Sequence, residues 1–352
     1  MKKTLVLKVD SLKPDMKKIR KAAVFIKKGG LVAFPTETVY GLGADALNAD
    51  AVLALFEAKK RPLDNPPIVH VADVKQVQHL AGEVPKKAEI LMEEFWPGPL
   101  TLIFQRSSTV PDVTVAGLDT IAVRMPRHNV ALALIRESGC AVAAPSANLS
   151  GKPSPTCAGH VLEDLGGRID VVLDGGCTRI GVESTVLDLT VDPPQVLRPG
   201  GTPFEALVDV LGRVKLSPVA TADRVLLIGK ARSPGVKHKH YAPDAEVVVV
   251  EGEVADIVVK VNELVEGFRQ ERKRVGVLAT DETVDRYRAD VVKSLGSRSD
   301  LGEVARRLFG LLREFDVEGV DVIVAEGVPM EGLGLAVMNR LRKASAYRIV
   351  RA

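Results

Sequence analysis

Cysteine, aromatic residues and long apolar runs are all scarce in this chain of 352 residues, and each scarcity excludes something. Three cysteines, Cys140, Cys157 and Cys177, are an odd number with no C-x-x-C spacing, which argues against a disulfide framework and a cysteine zinc site. Aromatic residues make up 4% of the chain, too few for a base-stacking surface. No apolar run approaches the roughly 20 residues of a membrane span. Met1 to Val9 lack the apolar block of a signal peptide, so a cytoplasmic location is expected and no membrane partner. No internal repeat or low-complexity tract interrupts the chain.

What is present is an ordinary globular balance, 46% hydrophobic and 26% charged, in a length that suits two domains. The net charge of +3 hides an asymmetry: residues 1–30 hold ten Lys or Arg against two Asp. That excess reads either as a basic patch for an anionic partner such as RNA or as the solvated face of a helix. Met16, Ile19, Ala23 and Ile26 recur at helical spacing between the lysines, which favours the helix.

Short apolar runs at residues 4–9, 31–34, 68–71, 100–104, 121–124, 142–144, 171–173 and 186–189 read as strands. Helices are expected at 50–60, 86–95 and 128–138, so the first part is a mixed α/β sheet. Residues 233–243, with Pro234, Gly235 and Pro243, cannot sustain a helix or a central strand. After them strands at 246–250, 274–279, 291–294 and 320–325 alternate with helices at 254–270, 300–315 and 333–346, the pattern of a smaller, Rossmann-like α/β domain. The division is therefore 1–208, a linker over 209–243, and 244–352.

Three stretches could carry chemistry. Pro35 to Gly43, Pro-Thr-Glu-Thr-Val-Tyr-Gly-Leu-Gly, follows a buried strand, where Thr36, Glu37 and Thr38 sit either at a ligand-binding strand end or in a plain turn. Lys59-Lys60-Arg61-Pro62 at a helix end either complements the helix dipole or clamps phosphate. It is no Walker loop. Ala144-Pro-Ser146-Ala-Asn148 lacks the G-x-S-x-G elbow and a nearby His, so Ser146 and Asn148 suit hydrogen bonding to phosphate or ribose better than nucleophilic attack. Arg124 and Arg198 stand at strand ends, as carboxylate or phosphate binders or as surface residues. His238 and His240 form an H-x-H pair without Cys or carboxylate partners, a poor metal site.

The order of these pieces says more than any one of them. Pro35–Gly43, Lys59-x-Arg61-Pro, Asn65-Pro-Pro-Ile-Val-His70, Phe95-Trp-Pro-Gly-Pro-Leu-Thr101, Val123-Arg-Met-Pro126, Ala144–Asn148 and Glu183-Ser-Thr185 together resemble the YrdC-like family. Leu197-Arg-Pro-Gly200 and the Ser-Pro-Gly-x-Lys-x-x-His-Tyr-Ala-Pro linker resemble its two-domain form, the threonylcarbamoyl-AMP synthases. The resemblance covers essentially the whole chain. It implies a YrdC-like twisted α/β catalytic domain and a nucleotidyl transfer from ATP.

The implied reaction takes L-threonine, bicarbonate and ATP to threonylcarbamoyl-AMP and pyrophosphate, for a downstream transferase that modifies tRNA beside the anticodon. By the same resemblance Lys59 and Arg61 hold the triphosphate with Ser146, Asn148, Ser154 and Arg198. Leu63 and Thr120 face the nucleotide, as does Tyr241 on a linker folded back as a lid. Thr36, His70, Arg124, Ala144 and Ser184 hold threonine. Mg2+ is expected on the phosphates, not in a carboxylate cage. The alternative from another class is an RNA-binding module that uses a basic concave face. A carbamoyl-transfer domain of the hydrogenase-maturation kind is disfavoured, because acylphosphatase and zinc-finger segments have no room here.

Overall fold

The computed structural model describes residues 3–224 and 241–352. Lys237, His238 and His240 of the expected linker lie outside the described residues, whereas Tyr241, Ala242 and Pro243 lie within them. Among the described residues no helix is long and apolar enough to cross a membrane.

The lysine-rich start is a strand, Leu5–Lys8, and an amphipathic helix, Met16–Lys27. Asp15 caps that helix by accepting from the Lys17 N–H, and Ile19, Ala22, Ala23 and Ile26 are buried under it. Its lysines are accordingly the outward face of a packed helix.

Eleven strands form the first sheet, mixed in direction. Val32–Phe34 pairs antiparallel with Gly41–Asp45 across the turn at residues 35–40. Val69–His70 lies parallel to Thr120–Arg124, with His70 opposite Arg124, and antiparallel to Val142–Ala143. The Thr36 turn, His70, Arg124 and Ala144 thus lie on or beside neighbouring strands, in the order 32–34, 41–45, 142–143, 69–70 and 120–124. The strand Lys215–Leu216 still belongs to it, and the helix Pro218–Thr221 follows, so the first sheet runs past residue 208.

The second domain holds five parallel strands in the spatial order Val291–Ser294, Val275–Ala279, Val322–Glu326, Glu246–Glu251 and Ile349–Arg351. Helices Val254–Gln270, Leu301–Glu318 and Gly334–Ala344 cover its faces, as strand–helix alternation requires.

The two domains meet closely. Gly181 of the first has φ +83°, and a Cβ there would fall 2.4 Å from the Arg306 Cα, so only glycine lets the helix Leu301–Glu318 approach. Val39 and Val182 join Tyr241, Phe309 and Val337 in one apolar cluster. Arg313 donates to Asp164 at 2.7 Å and to the Pro153 carbonyl at 2.6 Å, with both ionic side chains almost fully buried.

Removing the cation from such a pair leaves a buried carboxylate uncompensated. Arg313→Met is expected to destabilise the protein by about 3–5 kcal/mol, and Asp164→Asn in the same chain to restore part of it. Urea denaturation of the three proteins checks this, and equal losses in the single and double variants would refute it.

Candidate active site

The turn after Val32–Phe34 is wound by its own hydroxyls. Thr36 Oγ1 donates to the Val39 carbonyl at 2.7 Å and accepts from the Thr38 N–H at 3.1 Å, an ST turn that fixes the backbone at the strand end. Thr38 Oγ1 in turn accepts from Arg124 at 3.0 Å. A second nitrogen of Arg124 stands 2.8 Å from Glu37, and its Nε donates to the Gly98 carbonyl. Arg124 is thus held rigidly before any ligand arrives.

His70 packs edge-on against Phe34 and is 3% exposed. Burial, reinforced by the Arg124 charge, pushes its pKa down to about 3, so it is a neutral imidazole at physiological pH.

The helix Ala49–Lys59 ends on Lys60 in the left-handed conformation, which turns the chain and directs Arg61 inward. Arg61 Nε donates to the Asn65 carbonyl at 2.8 Å. Burial, then the nearby Arg198 against an opposing Tyr241, brings its pKa down to about 10. Lys59 is 1% exposed, and its Nζ donates to the carbonyls of Ser146 and Asn148. Burial and the Arg61 charge hold its pKa well below the ordinary lysine value. Ser146 donates to Asn148 Oδ1 at 2.5 Å, and Asn148 Nδ2 donates to the Leu149 and Lys152 carbonyls. Lys59 is therefore a strut for the loop at 146–148.

On the facing side, Ser154 donates to Glu183 at 2.5 Å. Ser184 shares a hydrogen bond with Thr101, and Arg198 donates to the Ser184 carbonyl at 2.9 Å. The chain can fold over this point because Gly200 follows: a Cβ there would lie 2.3 Å from the Glu183 carbonyl oxygen.

The second domain completes the wall. Arg340, fully buried, donates through Nε to Glu183 at 2.8 Å and through NH1 to the Pro199 carbonyl at 2.7 Å. It also lies over the Tyr241 ring, 5.5 Å from the centroid, while Phe309 stacks on that ring at 5.4 Å. Lys343 stands behind; burial and repulsion from Arg340 and Arg198 bring its pKa down to about 7.

Of the residues expected from the sequence, one cavity is lined by Thr36, Arg61, His70, Arg124, Ala144, Ser146, Asn148, Ser154, Ser184, Arg198 and Tyr241. Three are not in its lining. Lys59 lies beneath, as described. Leu63 is 58% exposed on the loop beyond Arg61. Thr120 begins the strand that ends on Arg124, about 13 Å away at the usual rise per residue. Four-residue spacing brings side chains together on a helix, not along a strand.

Glu183 and Lys152 line the cavity, and Arg340 and Lys343 support it, none of which had been given a role from sequence. Glu183 stood in a quoted motif. Arg340 and Lys343 carry no local signal, because they reach the site only through domain packing. Seven basic side chains (Lys59, Arg61, Arg124, Lys152, Arg198, Arg340 and Lys343) therefore surround two carboxylates, Glu37 and Glu183. Such an excess suits a polyanionic ligand. Among the described residues no cluster of three or more His, Cys, Asp or Glu could hold a metal ion.

Comparison with known proteins agrees along the chain. Residues 24–200 match the Sua5, YciO and YrdC family model described as "Telomere recombination", and residues 204–346 match the threonylcarbamoyl-AMP synthase C-terminal domain. A threonylcarbamoyl-AMP synthase of Pyrococcus abyssi is 55% identical over 334 residues, 95% of this chain and 96% of its own. One from Bacillus subtilis is 50% identical over 344 residues, 97% of each. The crystal structure of P. abyssi Sua5 complexed with L-threonine superposes with a TM-score of 0.94 at 54% identity, covering 99% of this chain and 100% of that one.

The buried histidines set a pH dependence. Burial pushes the pKa of His70 to about 3 and those of His128 and His160 to about 4. The unfolded chain then binds more protons than the folded one between those values and about 6.5. Their contribution is complete above about 6.5 and is lost as pH falls towards 3–4. His70→Gln is expected to flatten the fall in urea midpoint between pH 7 and pH 4.5, and an unchanged slope would refute this.

Proposed function

This chain belongs to the two-domain threonylcarbamoyl-AMP synthase family, and from that membership we propose how its own residues divide the work. It is an enzyme, a nucleotidyltransferase that makes threonylcarbamoyl-AMP and pyrophosphate from L-threonine, bicarbonate and ATP. Near-complete alignment with relatives at 50–55% identity carries this conclusion, and the buried cationic excess fits it chemically.

Two steps are needed, each forming one bond and breaking another. The threonine amine attacks the bicarbonate carbon, and water leaves to give a carbamate. A carbamate oxygen then attacks the α-phosphorus, and pyrophosphate departs. Neither step demands a covalent protein nucleophile, so positioning and charge neutralisation are the enzyme's task.

Arg61 and Arg198, with Ser146, Asn148 and Ser154, hold the triphosphate in this reading. Lys59 adds charge from beneath and keeps the Ser146–Asn148 loop in shape. Thr36, His70, Arg124, Ala144 and Ser184 receive threonine, and Tyr241 borders the nucleotide. For the threonine carboxylate Arg124 would exchange part of its contact with Glu37, which is an ion pair at 2.8 Å. ATP enters as its magnesium complex with the ion on phosphate oxygens. The donor set favours this, since Glu37 and Glu183 are each already taken by an arginine. The mixed anhydride passes to a transferase acting on tRNA adenosine. A weak tRNA contact falls to the lysines of the helix Met16–Lys27, which face outward.

Purified protein is expected to release pyrophosphate from ATP only when threonine and bicarbonate are both supplied. Serine lacks one methyl and should be about 10–200-fold poorer in kcat/KM. Release without threonine, or equal rates with serine, would overturn the substrate assignment.

A second expectation concerns protons. Burial holds Lys59 well below the usual lysine pKa and Lys343 at about 7, so a bound triphosphate should draw protons onto them. ATP binding should weaken as pH rises above about 7, with proton uptake visible as calorimetric heats that differ between buffers of unlike ionisation enthalpy. Identical heats would exclude the coupling. Arg61→Ala should lose about 1.5–3 kcal/mol of nucleotide binding by the same calorimetry.

A further inference from the structure

Thr36 is a shared wall. One side faces the cavity just described, and the other faces a second cavity of about 190 Å³. Arg127, His128, Asn129, Thr178 and Arg179 contribute to that second lining. None of these five lines the first cavity.

Its polar groups point one way. The ten-residue helix Asn129–Ser138 begins here, and its N-cap, His128, has extended backbone and no side-chain cap. The first-turn amides and the positive end of the helix dipole are thus left without a side-chain acceptor. Thr178 is 5% exposed, and its Oγ1 has no hydrogen-bond partner. A hydroxyl hidden from water and left unpaired costs about 1–3 kcal/mol, so it is a group waiting for a ligand. His128 Nδ1 is buried and unpaired as well. Burial, with Arg179 adding to it against an opposing Glu37, brings the His128 pKa to about 4, so the ring is neutral and carries one N–H. The Arg127 side chain is oriented by its Nε bond to the Pro97 carbonyl at 2.7 Å. Glu37, the carboxylate that acts on His128, is itself held by Arg124.

A helix N-terminus, two guanidinium groups, a free hydroxyl and a neutral imidazole are the donors for a small oxyanion. The cavity has room for about six waters at the volume water takes in the liquid, which suits a carbon oxyanion of three oxygens with some of its hydration. Arg127 and Arg179 at its mouth are exposed, so an anion can enter while ATP and threonine occupy the main cavity. We propose that this second cavity binds bicarbonate and stages it across Thr36 from the threonine site. The inference rests on the synthase reading above, which supplies bicarbonate as the one small oxyanion consumed. Phosphate shares its chemistry and is the competing source.

Two variants of the full chain test the site. Thr178→Val keeps the shape and removes the hydroxyl, and Arg179→Ala alters an exposed residue. Each should raise the KM for bicarbonate roughly tenfold or more, as loss of a hydrogen bond to a charged group predicts, while the KM values for threonine and ATP stay put. A direct arm titrates 13C-labelled bicarbonate into protein without nucleotide or threonine, with its NMR line broadened by the wild type and not by Thr178→Val. Inorganic phosphate at equal concentration should leave that broadening in place. An unchanged bicarbonate KM in both variants overturns the proposal. So does displacement by equimolar phosphate, which would make the cavity a phosphate site. A wild type that makes no threonylcarbamoyl-AMP would instead refute the synthase reading, and the binding arm would still decide the cavity.

Discussion

Glu183 takes Ser154 on one carboxylate oxygen and Arg340 on the other, and the rest of the site is arranged around that double contact. Burial works against its charge, but Arg340 and Arg198 more than compensate, and its pKa ends below the ordinary glutamate value. An ionised Glu183 is what allows Arg340 to be fully enclosed, since an unpaired buried guanidinium costs several kcal/mol. Arg340 then fixes the Pro199 carbonyl beside Arg198 and covers one face of Tyr241. The first domain's serine, the second domain's arginine and the returning linker residue thus share one electrostatic centre. Its mirror is Glu37, which holds Arg124 at the far wall.

Much of this architecture was legible in the residues alone. The helices Lys86–Phe95 and Val254–Gln270 fall where their periodicity put them, because a packed apolar face leaves a regular trace. The strand Gly41–Asp45 is absent from the expected strands, its first residues falling in the Pro35–Gly43 stretch. Gly43 is there because Phe34 and Val142 leave no space, with a Cβ due within 2.8 Å of both, and composition cannot separate that cause from a loop. The helices Ala158–Leu165 and Phe204–Leu211 were also missed, being eight residues each and bordered by prolines and glycines.

Site residues followed a similar rule. Those in ordered motifs, such as Thr36, Arg124 and Ser146, come together because their motifs lie on or beside neighbouring strands of one sheet. Thr120 begins the strand that ends on Arg124 and lies outside the cavity lining. Arg340 and Lys343 lie on a helix whose residues are buried on every side, so no amphipathic stripe marks them out. Only the meeting of two domains gives them partners.

The seam between the domains also has a direction. Arg313, Arg340, Arg342 and Asn339 of the second domain donate, and Asp164, Glu183, Pro153, Pro199, Ala220 and Thr221 of the first accept. A joint of this kind is selective where an oily one is permissive. Apolar faces tolerate sliding, whereas a guanidinium fork shifted by an ångström or so misses its oxygen and keeps its desolvation cost. The domains therefore have one docked pose that makes these hydrogen bonds together, and displaced poses are penalised steeply. Water can take both halves of each pair when the faces part, so full separation is gentler than a partial slip. The seam favours two positions, seated or open, over a continuum between them.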